Sequence, residues 1–115
     1  MDDLLVERVL RAVEAVPPGR VVSYGDLASL VGTGPRHVGA VMARWGSGVP
    51  WWRVTDRSGR LRPDLLARAR EQWLQEGIGL STDGRGVRFE AHRADLDRLA
   101  QDHARATADL DDAAG

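Results

Sequence analysis

The side chains able to do chemistry in this chain are guanidiniums and indoles rather than nucleophiles. All 16 basic residues are arginine and none is lysine. Arginine presents a rigid planar fork that suits phosphate, and its flat face stacks on bases. Trp51 and Trp52 stand in series ahead of an arginine in Pro50-Trp51-Trp52-Arg53-Val54. An indole offers one N–H donor and nothing that titrates near neutral pH. The cysteine count is zero, which removes disulfides, thiolate metal sites and every mechanism with a cysteine nucleophile or acceptor. His37, His92 and His103 lack ligand spacing, so neither a metal nor another cofactor is expected. Ser23 and Ser58 have no identifiable base, and no P-loop or dinucleotide fingerprint is present.

The formal net charge of −1 hides a segregation of signs. Residues 20–70 hold nine arginines against Asp26, Asp56 and Asp64, whereas residues 1–19 and 71–115 are both net acidic. A basic middle between acidic ends implies a surface that faces a polyanion.

The elements that must position these groups follow from periodicity and punctuation. A chain of 115 residues, 43% hydrophobic and 29% charged, has the composition of one soluble globular domain. It lacks an apolar run long enough for a membrane span and opens Met1-Asp2-Asp3 without a secretory apolar region, so a cytoplasmic protein is expected. A first helix is predicted from about Asp3 to Val16, capped by Asp2 or Asp3, with Leu5, Val6, Val9, Leu10, Val13 and Val16 along one face. Pro17-Pro18-Gly19 ends it, and Val21-Val22 is a short extended piece. Ser23 with Asp26 three residues on forms a capping box for a helix Tyr24 to Val31. Gly32-Thr33-Gly34 is a tight turn, and Pro35 opens a helix to about Trp45 with Val38, Val41 and Met42 inward. Two short helices joined by a glycine turn make a helix-turn-helix signature.

Beyond Gly46-Ser47-Gly48 the chain runs through the tryptophans into a turn-rich arginine loop from Asp56 to Pro63. Asp64 is predicted to cap a helix to Gln75 that packs through Leu65, Leu66, Ala69, Trp73 and Leu74. A hairpin-like excursion is predicted with Ile78 to Leu80 and Val87 to Phe89 as its arms. Residues 91–115 are rich in Ala, Asp and Arg. Leu96, Leu99, His103, Ala106 and Leu110 are spaced for an amphipathic helix packed on the body or a partner, and a partly disordered acidic tail is an equal alternative.

Four blocks together carry a family resemblance: Gly19-Arg20-Val21-Val22-Ser23-Tyr24-Gly25-Asp26-Leu27-Ala28, Pro35-Arg36-His37-Val38-Gly39, Pro50-Trp51-Trp52-Arg53-Val54, and Arg68-Ala69-Arg70-Glu71-Gln72-Trp73-Leu74-Gln75-Glu76-Gly77. They resemble the C-terminal DNA-binding domain of O6-alkylguanine-DNA alkyltransferases over roughly residues 4–80. More closely they resemble the alkyltransferase-like proteins, in which tryptophan replaces the acceptor cysteine. The family signature Pro-Cys-His-Arg reads Pro50-Trp51-Trp52-Arg53 here, so the histidine is replaced as well. The usual alkyltransferase-like pattern keeps that histidine, and Trp52 departs from it.

The resemblance implies a mainly α domain over residues 1–90 with a winged or helix-turn-helix core, followed by the 91–115 tail. It implies that Tyr24 crowds the phosphate 3′ to a target nucleotide and helps rotate it out, while Arg36 enters the duplex and fills the gap. Gly39, Ala40 and Ala43 would let the recognition helix approach the minor groove closely. Arg20 and Arg44 would touch phosphates, and His37 would lie on the DNA side or at the surface. Trp51, Trp52, Arg53 and Arg62 would belong to the lesion pocket with Tyr24. Within that pocket Arg53 would hold the loop through backbone bonds, and Arg62 would stand in for an arginine that some relatives carry after the loop proline. Glu76 is read as structural at a helix end.

The implied activity is a non-enzymatic sensor: it binds O6-alkylguanine in duplex DNA, flips the base, and hands the lesion to nucleotide excision repair proteins such as UvrA. A nucleoid-associated monomer is expected. The rivals are a helix-turn-helix transcriptional or architectural DNA-binding protein, with Trp52 plugging the cavity, and a protein-interaction module. Glycosylase-like base removal lacks an evident catalytic acid.

Overall fold

A computed structural model describes residues 2–110; the last five residues of the expected tail lie outside the described residues. α1 spans Asp3–Ala15, and the Asp2 carboxylate accepts from the Leu4 N–H to cap it. Val6, Val9, Ala12 and Val13 are buried along its inner face. Val16 leaves the helix in extended conformation and is itself fully buried. The Pro17-Pro18 turn then returns the chain to β1 (Val22–Ser23). β1 pairs in parallel with β2 (Val54–Thr55), Val22 opposite Val54 and Ser23 opposite Thr55.

Ser23 ends β1 and caps α2 (Tyr24–Val31) at once. Its hydroxyl accepts from the Asp26 N–H at 3.0 Å, and the Asp26 carboxylate accepts from the Ser23 N–H at 3.0 Å. The capping box therefore forms as expected. Gly32 closes α2 at φ +83°, a conformation that favours glycine. α3 (Pro35–Trp45) starts with proline in its first turn and buries Val38 and Val41. α2 and α3 pack on each other and on α1, so α1 is the base of the helix-turn-helix.

α4 (Leu66–Glu76) follows a single 3-10 turn at Pro63–Leu65. Asp64 does not cap it: its carboxylate is taken by Arg62, and the helix starts with no side-chain cap. Ala69 and Trp73 face inward, but Leu74 is 67% exposed and is not a packing residue. The excursion after α4 narrows to one antiparallel bridge, Leu80 with Val87. Phe89 begins the four-residue α5 (Phe89–His92) rather than extending an arm. Gly59 and Gly86 meet back to back beneath it. A Cβ on Gly59 would stand 2.3 Å from the Val87 carbonyl oxygen, so no side chain fits there.

Residues 92–110, set apart by composition, complete the core. The Val21 N–H donates to His92 O and the Ala94 N–H donates to Val21 O, both at 2.9 Å. The Arg93 guanidinium reaches back to Asp26. α6 (Leu96–Ala106) is capped by Asp95 and lies along α1. Ala94 and Leu99 share a hydrophobic cluster with Val9, Val38 and Val54. His103 Nε2 lies 2.9 Å from Arg8 O. A second cluster, with Val21, Ala69, Trp73, Ile78, Val87 and Phe89, sits under α4. The turn that carries Trp51 and Trp52 packs against this second cluster.

Candidate nucleic-acid interface

An open cleft of about 300 Å³ runs between α3, the tryptophan turn and the start of α4. That is the small end of ligand-pocket sizes. Of the residues singled out in the sequence, Tyr24, Gly39, Ala43, Arg44, Trp51 and Arg62 line it. Met42, Leu61 and Leu65 add apolar wall, and α4 adds Arg68, whose role the sequence alone did not suggest. Three of the lining residues are arginines and none carries a carboxylate.

Tyr24 is placed by the capping box at the first position of α2. Burial raises its phenol pKa above the ordinary value, the Asp56 carboxylate raises it further, and Arg62 opposes both. The ring therefore stays a neutral phenol. It also borders a second groove with Ser23, Gly25, Pro35, Asp56 and Arg57. Asp56 in that groove is engaged, since its carboxylate accepts from Ser58 and from the Arg60 N–H.

Trp51 and Trp52 point different ways because they sit in a 3-10 turn, Trp51–Arg53, where successive side chains fan around the axis. Their rings meet edge to face, 5.7 Å apart at 84°. Trp51 faces the cleft. Trp52 is not one of the residues that line it, contrary to expectation. Its Nε1–H donates to Glu76 Oε2 at 2.6 Å, and its carbonyl accepts from Trp73 Nε1 at 2.7 Å. An indole with a single donor turns to the acceptor that satisfies it, and the acceptor lies behind the cleft.

Arg53 also stands behind the cleft rather than in it. Its Nη1 donates to the Val16 carbonyl at 3.0 Å, the backbone bond expected of it. Its Nε and Nη2 both donate to Glu76. The pair is 12% and 11% exposed, so it is nearly dry. Glu76 further accepts from the Gly19 N–H at 2.8 Å. Burial would raise the Glu76 pKa, but the bonds from Arg53, Gly19 and Trp52 outweigh it and hold the carboxyl below its ordinary value. Glu76 is thus the centre that ties α1's exit, the tryptophan turn and α4 together. Reading it as a helix-end residue understated it. The only signal in the sequence was its place in the fourth block.

The helix-turn-helix face carries the remaining residues. Arg36 and His37 are exposed on the first turn of α3. His37 Nδ1 lies 2.8 Å from the Thr33 hydroxyl, so His37 fastens the turn between the two helices. Ala40 is half-buried and Ala43 exposed, while Gly39 faces open space. The Arg44 guanidinium lies 4.9 Å from the Trp45 ring centroid. Arg20 is exposed just past the proline turn. Arg62 is held by Asp64 through two bonds, Nε to Oδ1 at 3.1 Å and Nη2 to Oδ2 at 2.9 Å. Among the described residues, Arg20, Arg36, Arg44 and Arg68 make no ion pair.

The family model of the 6-O-methylguanine DNA methyltransferase DNA-binding domain matches residues 5–78. A protein of Escherichia coli strain K12 named "DNA base-flipping protein" is 41% identical over 90 residues, covering 72% of this chain and 69% of that one. Its namesake in Vibrio parahaemolyticus is 33% identical over 91 residues, covering 74% and 90%. The crystal structure of S. pombe Atl1 with damaged DNA containing O6-carboxymethylguanine superposes with a TM-score of 0.71 at 25% identity, over 83% of this chain and 98% of that one. A second S. pombe structure with DNA gives 0.69 at 26%, with the same coverage. With no cysteine to accept an alkyl group, the chain is not an alkyl-transferring enzyme. It belongs to the 6-O-methylguanine DNA methyltransferase DNA-binding domain family, as an alkyltransferase-like member.

Proposed function

We propose that this protein is a non-enzymatic sensor of O6-alkylguanine in duplex DNA. It turns the damaged nucleotide out of the stack, holds it in the cleft, and leaves the chemistry to others. The observation that carries this reading is the cleft itself: it borders α3 and is walled by Trp51, which the family resemblance sets where active relatives carry the acceptor cysteine. Extruding a base costs a few kcal/mol of stacking and pairing, least where the pair is already damaged. Arg36, exposed at the start of α3, replaces part of that stacking from inside the duplex. Tyr24, Arg20 and Arg44 hold the backbone, and the small residues Gly39, Ala40 and Ala43 keep α3 close to the minor groove. His37 supports this face from the turn and is itself exposed on it.

The bound lesion is then passed to nucleotide excision repair proteins such as UvrA by a monomer at the nucleoid. A docking role for the acidic C-terminal residues is tested by charge reversal at exposed Asp97, because α6 is part of the core and deleting it would unfold the protein. The rival regulator without lesion recognition drew its support from Trp52 as a plug, and Trp52 is bonded to Glu76 instead.

The test is a titration of two duplexes that differ only in O6-methylguanine against guanine, at fixed salt. The sensor binds the damaged duplex more tightly, and Arg36→Ala reduces that advantage. Equal affinities for the two duplexes would overturn the reading in favour of a general DNA-binding protein.

A further inference from the structure

Tyr24 borders both the cleft and the groove beside it, yet among the described residues its phenol makes no hydrogen bond. The ring is therefore aimed by packing and by the backbone at the start of α2. That start is closed by the capping box, in which Ser23 and Asp26 exchange two bonds of 3.0 Å. The box is not self-sufficient. The Asp26 side chain is 8% exposed, and a carboxylate that dry needs a counter-charge as well as an N–H. Arg93 supplies it through a fork, Nη2 to Oδ1 at 2.5 Å and Nε to Oδ2 at 3.2 Å. Burial would raise the Asp26 pKa, but the bonds from Arg93 and Ser23 outweigh it and hold the carboxyl below its ordinary value.

Arg93 comes from beyond the four motif blocks, and it arrives already fixed. Residue 93 bridges Val21, just ahead of β1, in parallel register, with backbone bonds to Val21 from His92 and Ala94 on either side. Its guanidinium carbon lies 5.5 Å from the Phe89 ring centroid. We propose that Arg93 is a positioning residue for base extrusion: by holding the Asp26 carboxylate in the capping box, it sets the direction in which α2 presents Tyr24 to DNA. This rests on the sensor reading above and goes beyond it by assigning part of the site's geometry to the C-terminal segment. Without the fork, the carboxylate keeps one backbone donor in a dry place and turns toward water. The first turn of α2 then loosens, and the ring with no bond of its own loses its aim.

The chain has a single tyrosine, so fluorotyrosine labelling places one fluorine NMR signal at Tyr24. The experiment reads that signal in the full chain without DNA. It then titrates two duplexes that differ only in O6-methylguanine against guanine, at one salt concentration. Arg93→Gln is expected to move the signal toward its value in the unfolded chain. It is also expected to cut the methyl-to-guanine affinity ratio by up to about tenfold, the weight of one charge-assisted bond at the weak end of its range. Arg93→Lys keeps the charge and one of the two bonds, and moves both readouts the same way by less. Arg11→Gln is the control: it removes the same charge and loosens α6 from α1 at Ala106 and Asp109, far from Asp26 in the bond network. It leaves the signal and the ratio in place.

Two failures are distinguishable. If wild type binds both duplexes alike, the sensor reading falls and the proposal with it. If wild type discriminates and Arg93→Gln keeps either its ratio or its fluorine signal, the proposal falls and the sensor reading stands. Equal weakening on both duplexes would make Arg93 a phosphate contact, and an equal change in Arg11→Gln would make the effect a general loosening; each overturns the proposal. Where Arg93→Gln does not fold, Arg93→Lys decides, and a wild-type ratio there is fatal. If neither folds, Arg93 serves the fold as a whole and the proposal is wrong.

Discussion

Two indoles, adjacent in sequence and 5.7 Å apart in space, serve two different sites. Trp51 belongs to a cleft whose polar groups are largely left for a ligand: a neutral phenol, two arginines without ion pairs, no carboxylate. Trp52 belongs to a centre that is saturated. There Glu76 takes bonds from Gly19, Trp52 and the Nε and Nη2 of Arg53. A binding surface needs unmet valence, and a scaffold cannot tolerate it when buried. The 3-10 turn places one indole in each regime, so substitutions on the two sides should read out in different experiments.

The largest effect is expected at the scaffold. Glu76→Gln leaves the nearly dry Arg53 without its counter-charge. Breaking one partner from such a pair costs about 3–5 kcal/mol, read as a lower midpoint in urea unfolding. Lesion affinity per folded molecule should change little. A variant of undiminished stability that had lost lesion binding would put Glu76 on the cleft side and erase the division.

Next comes Trp51→Ala. Loss of an aromatic platform removes about 1–3 kcal/mol per stacked base, so affinity for O6-methylguanine duplex should fall roughly ten- to a hundredfold. Affinity for undamaged duplex, carried by backbone contacts, should hold. Equal losses on both duplexes would mean that the ring touches DNA outside any flipped base.

Trp52→Phe sharpens the contrast at smaller cost. It removes one bond to a carboxylate that keeps its other donors, worth about 1.5 kcal/mol, with lesion discrimination retained. A cleft that needed Trp52 as a wall would lose discrimination here.

The legibility of the two sides differed for the same reason. The helix-turn-helix was plain because its determinants are local: Ser23 with Asp26, Gly32 in a left-handed turn, Pro35 in the first turn of α3. The cleft was legible in part: Tyr24, Trp51 and Arg62, assigned to the pocket, line it, whereas Trp52 and Arg53 do not, and Gly39, Ala43 and Arg44, assigned to the DNA face of α3, border it as well. The Glu76 centre was not legible, because it joins residues 16, 19, 52, 53 and 76 through contacts that no spacing announces. Side-chain direction within Trp51–Arg53 was hidden as well, since a three-residue turn has no periodicity to read. Asp64 misled because an acid before an apolar run resembles a cap, and Arg62 two residues earlier competed for it. The α6 spacing was readable through Leu99 and His103, but the face it covers on α1 depends on packing.

The smallest effect, and the most specific to the scaffold, is in acid. Burial raises the Glu76 pKa, yet the bonds from Arg53, Gly19 and Trp52 bring it below the ordinary glutamate value in the folded state. A carboxyl with a depressed folded pKa contributes stability that is fully present above its unfolded pKa, about 4.3. That contribution is lost as pH falls through the folded value. Asp26 and Asp83 are depressed too, so acid lability of the whole protein does not isolate Glu76. The difference between wild type and Glu76→Gln does. Measured by urea unfolding, it should be flat from neutral pH down to about pH 5 and shrink below the ordinary glutamate range. No step should appear near pH 6–7, because Trp52 gives the carboxylate a partner that never titrates there. A gap that instead widened in acid would mean that Glu76 is more easily protonated in the folded protein than in the unfolded chain, and the saturated centre would lose its electrostatic basis.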